Sequence, residues 1–205
     1  MGGRISTRIS RDDPDWIFDH GAPFIQHHDP RFELWVRAWE NAGVLQKWKA
    51  NLMKGKIDAL ERIDQDIFVG TSKNCTIAEH LAKDLQIHTH TRIKNIRYTP
   101  KGWFLRTAEV EFGPFEKLVA TLPPTQLKEL LPERLHTPIF NVKFQPIHAL
   151  LMRFEEEFPR SFDAAKIDHP IFSYICRETS KPFRSSKEQW TVHTAPQWSI
   201  QHLEE

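Results

Sequence analysis

Gly2-Gly3-Arg4 sets two residues without a Cβ beside a guanidinium, a combination suited to phosphate. The missing side chains let a bulky group approach the backbone. Arginine adds a planar fork of donors matched to phosphate oxygens. Arg8 and Arg11 follow and extend a basic stretch that can hold a phosphate or simply stand solvated. Gly21 then lies between Asp19-His20 and Ala22-Pro23-Phe24, where a charged pair meets apolar residues, and reads as the mouth of a pocket. The same residues would also serve as a flexible terminus followed by a turn.

Other chemistries find less support. Among 11 histidines, the nearest to clusters are His27-His28, His88 with His90, and His193 with His202. His88 and His90 would share one face of a strand and need a third ligand opposite them. There is no H-E-x-x-H and no cysteine ligand, so no metal is expected. Ser173 and Ser199 have no identifiable base, G-x-S-x-G is absent, and so is a phosphate-binding P-loop. No residue is assigned as catalytic.

The chain has 205 residues, enough for one large domain or two small ones with a real core. It is 40% hydrophobic and 27% charged, with 14 Phe and 7 Trp, which marks it as globular rather than disordered. A net charge of +1 gives no broad field to attract nucleic acid or anionic lipid. No apolar run approaches the roughly 20 residues of a membrane helix, and no apolar signal segment follows Met1. Cys75 and Cys176, far apart, fit reduced thiols and a cytoplasmic location.

The elements that must position these residues follow from pattern. Trp16-Ile17-Phe18 predicts a short buried strand. Asp29 and Pro30 suit an N-cap and first helical position, Phe32, Trp35, Val36 and Trp39 form an apolar stripe, and Gly43 ends the helix. Residues 44–68 read as a loop with short strands. A helix is expected from about Thr76 to Asp84 with Ile77, Leu81 and Leu85 inward. Ile87 opens a short strand, and Thr91–Tyr98, Gly102–Thr107 and Glu109–Phe112 make an antiparallel meander. Leu118-Val119-Ala120 predicts a parallel strand buried on both faces, Thr125 a cap for a short helix, and Pro132–Pro146 a linker. Ile147–Phe154 reads as a central strand, with Ile171–Cys176 and Trp190–Thr194 completing an antiparallel sheet, and Pro196 starts a last helix.

The order G-G-R-x-S-T-R at 2–8 and F-D-H-G-A-x-F at 18–24 resembles the flavin-dependent amine oxidase superfamily, most closely its renalase-like branch. The resemblance continues through F-V-G-T (68–71), A-E-H-L-A (78–82), F-E-K-L-V-A-T-L-P-P-T-Q (115–126), F-D-A-A (162–165), W-T-V-H-T-A-P-Q-W-S (190–199) and H-L-E (202–204). It implies an FAD cofactor and a small-molecule substrate, an amine or a dihydronicotinamide, whose hydride passes to flavin; dioxygen then reoxidises the flavin, giving hydrogen peroxide. Gly2, Gly3 and Arg4 would meet the pyrophosphate; Gly21, Ala22, Pro23 and Phe24 would line the flavin. Ile93 would lie on the adenine side, and the strand end at Leu122-Pro123 close to the flavin.

There are departures. Pro23 stands where the family commonly has Gln, and Ser72-Lys73-Asn74-Cys75 replaces G-x-x-x-M. The family carries G-x-G-x-x-G on a βαβ unit roughly thirty residues before its G-G-R, and a glycine-rich closing segment near its C-terminus. The expectation is therefore a flavoenzyme lacking both ends, binding FAD weakly or not at all alone, and completed by another polypeptide, by a second copy, or not at all. The implied fold is mixed α/β: a partial FAD-binding domain with an antiparallel meander (1–26 and 68–131), and an incomplete substrate domain with a mixed or antiparallel sheet and helices (27–67 and 132–205).

Overall fold

The computed structural model describes residues 2–136, 141–157, 159 and 161–204; the expected linker across Pro132–Pro146 falls partly outside them, at 137–140. The chain forms two compact units, one from Met1–Leu85 with Gln145–Glu205 and one from Gln86–Phe144. The mixed α/β class expected from the sequence is the class observed.

In the first unit, a ribbon of β1 (Arg8–Ile9) and β2 (Ile17–Phe18) precedes α1 (Pro30–Asn41). Local chemistry sets both ends of α1. The Asp29 carboxylate accepts from the Arg31 amide at 2.8 Å, and Pro30 occupies a position that needs no donor. Gly43, at φ +71°, turns the chain left-handed, so that its N–H reaches Glu40 O (2.9 Å) and the Val44 N–H reaches Trp39 O (2.8 Å). Of the expected stripe only Val36 and Trp39 are buried; Phe32 and Trp35 face outward, 37% and 57% exposed. The helix buries only what reaches Val44, Leu45, Phe68 and Ile77, a strip narrower than the sequence periodicity.

The short strands expected among loop residues 44–68 form as β3 (Leu45–Lys47) and the hairpin β4 (Leu52–Lys56)–β5 (Ala59–Ile63), followed by β6 (Phe68–Gly70). α2 covers Thr76–Ala82, shorter than expected, with Ile77 inward but Leu81 and Leu85 exposed.

In the second unit, β7 (Asn95–Thr99), β8 (Gly102–Arg106) and β9 (Glu111–Phe115) make the expected meander, in order β7-β8-β9. Three expectations fail here. No strand forms at Ile87, so His88 and His90 share no strand face, and His90 sits at φ +56°. Leu118-Val119-Ala120 is not a strand, and Val119 is 85% exposed. The helix α3 (Pro124–Leu130) is preceded by Pro123, not capped by Thr125.

Back in the first unit, β10 (Ala149–Arg153), β11 (Ala164–Ile167), β12 (Phe172–Arg177) and β13 (Gln189–Thr194) join the hairpin in one sheet of order β10-β13-β12-β11-β4-β5. β10 is therefore an edge strand, not a central one. The sheet is mixed because β11 runs parallel to β4, from the first half of the chain. Its core holds Trp48, Leu52, Ile67, Val69, Ala164, Tyr174 and Cys176. The last helix, α4 (Pro196–Gln201), begins at Pro196 as expected.

Replacing Gly43 by alanine forces a side chain into its left-handed turn. Urea unfolding should show a loss of about 1 kcal/mol with unchanged denaturant slope. An unshifted midpoint would deny the cap its role.

Candidate functional site

β2 delivers Asp19 into a place with no solvent access. Its Oδ1 accepts from Thr7 Oγ1 (2.6 Å) and the Asn74 amide (2.9 Å). Oδ2 accepts from Lys181 Nζ (3.0 Å) and an Arg184 guanidinium nitrogen (2.5 Å). Lys181 also donates to Glu178 at 2.7 Å, and Thr191 Oγ1 donates to the other Glu178 oxygen at 2.8 Å. Two carboxylates thus face two cations, and the buried cluster carries no net charge, the condition for burying ions at all. Burial pulls the Asp19 carboxyl upward, but Lys181 and Arg184, with the Thr7 and Asn74 bonds, outweigh it and hold the group at about 2. Burial likewise opposes the Lys181 charge, and its neighbours Cys176, Glu178 and Asp19 outweigh that, so the ammonium titrates above its ordinary range.

This cluster ties the motif segments together. Asn74 accepts from the Gly70 amide (2.9 Å) and donates to Ala22 O (2.8 Å). The Ala22 amide donates to Arg4 O at 2.7 Å. A Cβ built on Gly21 would lie 2.1 Å from that same Arg4 carbonyl, so glycine is required there for backbone to meet backbone. Gly2, at φ +121°, packs on Cys75 at the start of α2, whereas nothing lies within 4 Å of where a Gly3 Cβ would be. Both Gly3 and Arg4 are exposed.

Next to this lies an aromatic wall. Phe24 meets Tyr174 edge-on, with ring centres 6.2 Å apart, and the His193 ring stands 5.8 Å from that of Tyr174. Burial pushes the His193 imidazole below its ordinary value, so the neutral ring donates from Nε2 to His20 O at 3.1 Å. Burial pushes the Tyr174 phenol well up. Among the described residues its hydroxyl has no hydrogen-bond partner, and neither has Gln65 Nε2; both residues line a cavity of about 10 Å³ with Phe24 and Met53, room for one water. The charges here are paired and the aromatics neutral. Such a site fixes the positions of its residues and leaves little room for water.

The structure thus brings Gly2, Gly3, Arg4, Gly21, Ala22, Pro23 and Phe24 into one packed region. Ile93, half-buried, and Leu122 and Pro123, just before α3, belong to the other unit. Sequence reasoning missed Lys181 and Arg184, whose polar surroundings carry no signal, and Tyr174, which read only as a strand residue; His193 was weighed only with His202 as a metal ligand, not as part of this wall. Asp19 was in view as part of a motif, but not as its anchor.

The model of the family described as flavin containing amine oxidoreductase matches residues 42–190. The chain belongs to that family. No curated protein matches it. Membership makes it a flavin-dependent oxidoreductase by descent, with FAD the typical cofactor. Among the described residues no three His, Cys, Asp or Glu side chains are grouped to hold a metal, and no helix is long and apolar enough to cross a membrane.

Replacing Asp19 by asparagine leaves Lys181 and Arg184 buried against a neutral group, which should cost about 3–5 kcal/mol at neutral pH. The sign of the pH dependence follows from the lowered carboxyl: its stabilisation is full above the ordinary 3.8 and is lost as pH falls toward about 2. The stability gap between wild type and Asp19→Asn, measured by urea unfolding, should narrow across that window. A gap independent of pH would contradict the ionised cluster.

Proposed function

We propose that the chain is a renalase-like FAD-dependent oxidoreductase acting on a small molecule, an amine or a dihydronicotinamide. The observation that carries the reading is the union of G-G-R with D-H-G-A-P-F, through the Arg4–Ala22 bond and the contact that only Gly21 permits. Those are the two segments whose order resembles the flavin-binding motifs, and they are packed as one body. The cofactor side comprises 1–26 with 68–131, and the substrate side 27–67 with 132–205. Reduced, buried Cys75 and Cys176 accord with a cytoplasmic place.

The residues present fit the group in part. Open space beside Gly3, with Arg4 adjacent, suits a pyrophosphate. The space beside Gly21 is filled by the Arg4 carbonyl, so Gly21 shapes the wall rather than touching a ligand. Bound FAD supplies the hydride acceptor and its reoxidation by dioxygen to hydrogen peroxide. Gly3 and Arg4 hold phosphate, Pro23 and Phe24 form a dry wall, and the Asp19 cluster fixes both. Pro23 offers no amide where the family commonly has Gln, which favours a different substrate or flavin potential. Binding is weak in this chain alone, because its 205 residues contain no G-x-G-x-x-G to present a helix N-terminus to the diphosphate.

A second reading, a non-catalytic chain or a subunit completed by another polypeptide or a second copy, draws on the edge strand β10 with Ile147 and Leu150 each 53% exposed.

Titrating FAD against the purified chain, followed by flavin fluorescence, should show weak binding that Arg4→Ala lowers by ~10-fold or more. Anaerobic reduction by amines and by non-standard dihydronicotinamides then identifies the donor. No response to FAD, or the same response in Arg4→Ala, would contradict the reading; flavin held tightly through purification would contradict the weak binding.

A further inference from the structure

Arg8, Arg11 and Arg153 line one open groove of about 370 Å³, together with Ser10, Asp12 and Trp16. The groove is built by fixed parts. Arg8 lies in β1, held to β2 in the register Arg8 opposite Phe18, and the Ser10 amide closes the ribbon onto Trp16 O at 3.0 Å. Buried Gln189 clamps the ribbon to the sheet: its side chain accepts from the Ile17 amide (2.6 Å) and donates to Asp15 O (2.9 Å). Arg153, at the end of β10, stands opposite Gln189 in the sheet, and its guanidinium lies 5.6 Å from the centre of the Trp16 ring.

The charge balance in the groove is unusual. None of the three guanidinium groups forms an ion pair among the described residues. The carboxylates of the connecting turn are paired elsewhere: Lys187 Nζ holds Asp13 at 2.5 Å and Asp15 at 3.2 Å, although Asp13 still feels the Arg153 charge. Asp12 alone remains on the groove wall against three exposed arginines. Like charges lining one groove repel one another, and an anion between them relieves that repulsion. A guanidinium fork matches tetrahedral oxyanions in geometry, and the Ser10 hydroxyl adds a donor. The volume falls in the range of small-molecule sites, so a ligand larger than the anion itself has room.

We propose that this groove binds the phosphate group of a phosphorylated molecule, with Arg8, Arg11 and Arg153 as its ligands. The site is separate from Gly2, Gly3 and Arg4 and does not rest on the flavin reading. Calorimetric titration of the whole chain with inorganic pyrophosphate at low ionic strength tests it. One pyrophosphate should bind per chain in this groove, in addition to any held at Gly3 and Arg4. Arg8→Ala and Arg153→Ala should each weaken binding by ~10-fold or more, and Arg153→Lys by less. All three arginines are exposed, so circular dichroism should be unchanged.

Vesicles of phosphatidylcholine with phosphatidic acid distinguish the source of the phosphate. Vesicle binding that pyrophosphate displaces supports the site and makes a lipid headgroup its occupant, whereas pyrophosphate binding without vesicle binding supports it with a soluble phosphate. Absence of pyrophosphate binding, equal binding by the triple variant R8A/R11A/R153A, or vesicle binding that pyrophosphate does not displace would each overturn it.

Discussion

A carboxylate closed off from water persists as an ion only where other charges and donors replace its hydration. Asp19 meets that condition with four partners drawn from three separate parts of the chain: Thr7, Asn74, and the pair Lys181 and Arg184. Because each partner also carries further bonds, the constraint spreads. Asn74 holds Gly70 and Ala22, Ala22 holds Arg4, and Lys181 holds Glu178, which in turn is bonded by Thr191 of β13. Removing Lys181 or Arg184 leaves buried charge uncompensated, and removing Thr7 leaves an Asp19 oxygen short of a donor, so these segments stand or fall as a group.

That arrangement explains why the motif residues sit where they do without any of them being chemically activated. The acids and bases of this region neutralise each other, His193 is kept neutral, and Tyr174 is kept protonated by burial. A site of this kind holds a shape and leaves little room for water. Such a division of labour suits a family in which a bound flavin carries the redox chemistry and the protein contributes position and dryness. A second buried pair repeats the principle at the far end of β12, where Arg177 grips Glu188 with nitrogens at 2.6–3.0 Å and the Trp190 indole donates to the same carboxylate at 2.7 Å.

How much of this the sequence displayed depended on whether the cause was local. The cap at Asp29-Pro30 and the stop at Gly43 are set by a few adjacent residues, and both were legible. So were the meander and the strands at 172–177 and 189–194, where alternation or apolar runs coincide with a pairing partner. Leu118-Val119-Ala120 has the composition of a buried strand, yet a strand exists only where a neighbour takes its amides and carbonyls, and β9 stops at Phe115. The stripe on α1 was overread for a related reason: periodicity shows which residues share a face, not how wide the surface opposite is. The Asp19 partners were least legible. Lys181 and Arg184 lie more than a hundred and sixty positions from Asp19 in sequence, and ionisable side chains in a polar stretch read as solvated until the fold brings a counter-charge to them.

The central claim, that one buried carboxylate couples these distant segments, is tested most directly by hydrogen–deuterium exchange on wild type and Asp19→Asn. The account predicts that residues 19–24, 70–77 and 178–184 lose protection together in the variant, while the β12–β13 amides and the meander at 95–115 keep theirs. Loss confined to the neighbourhood of residue 19, or spread evenly over the whole chain, would contradict it.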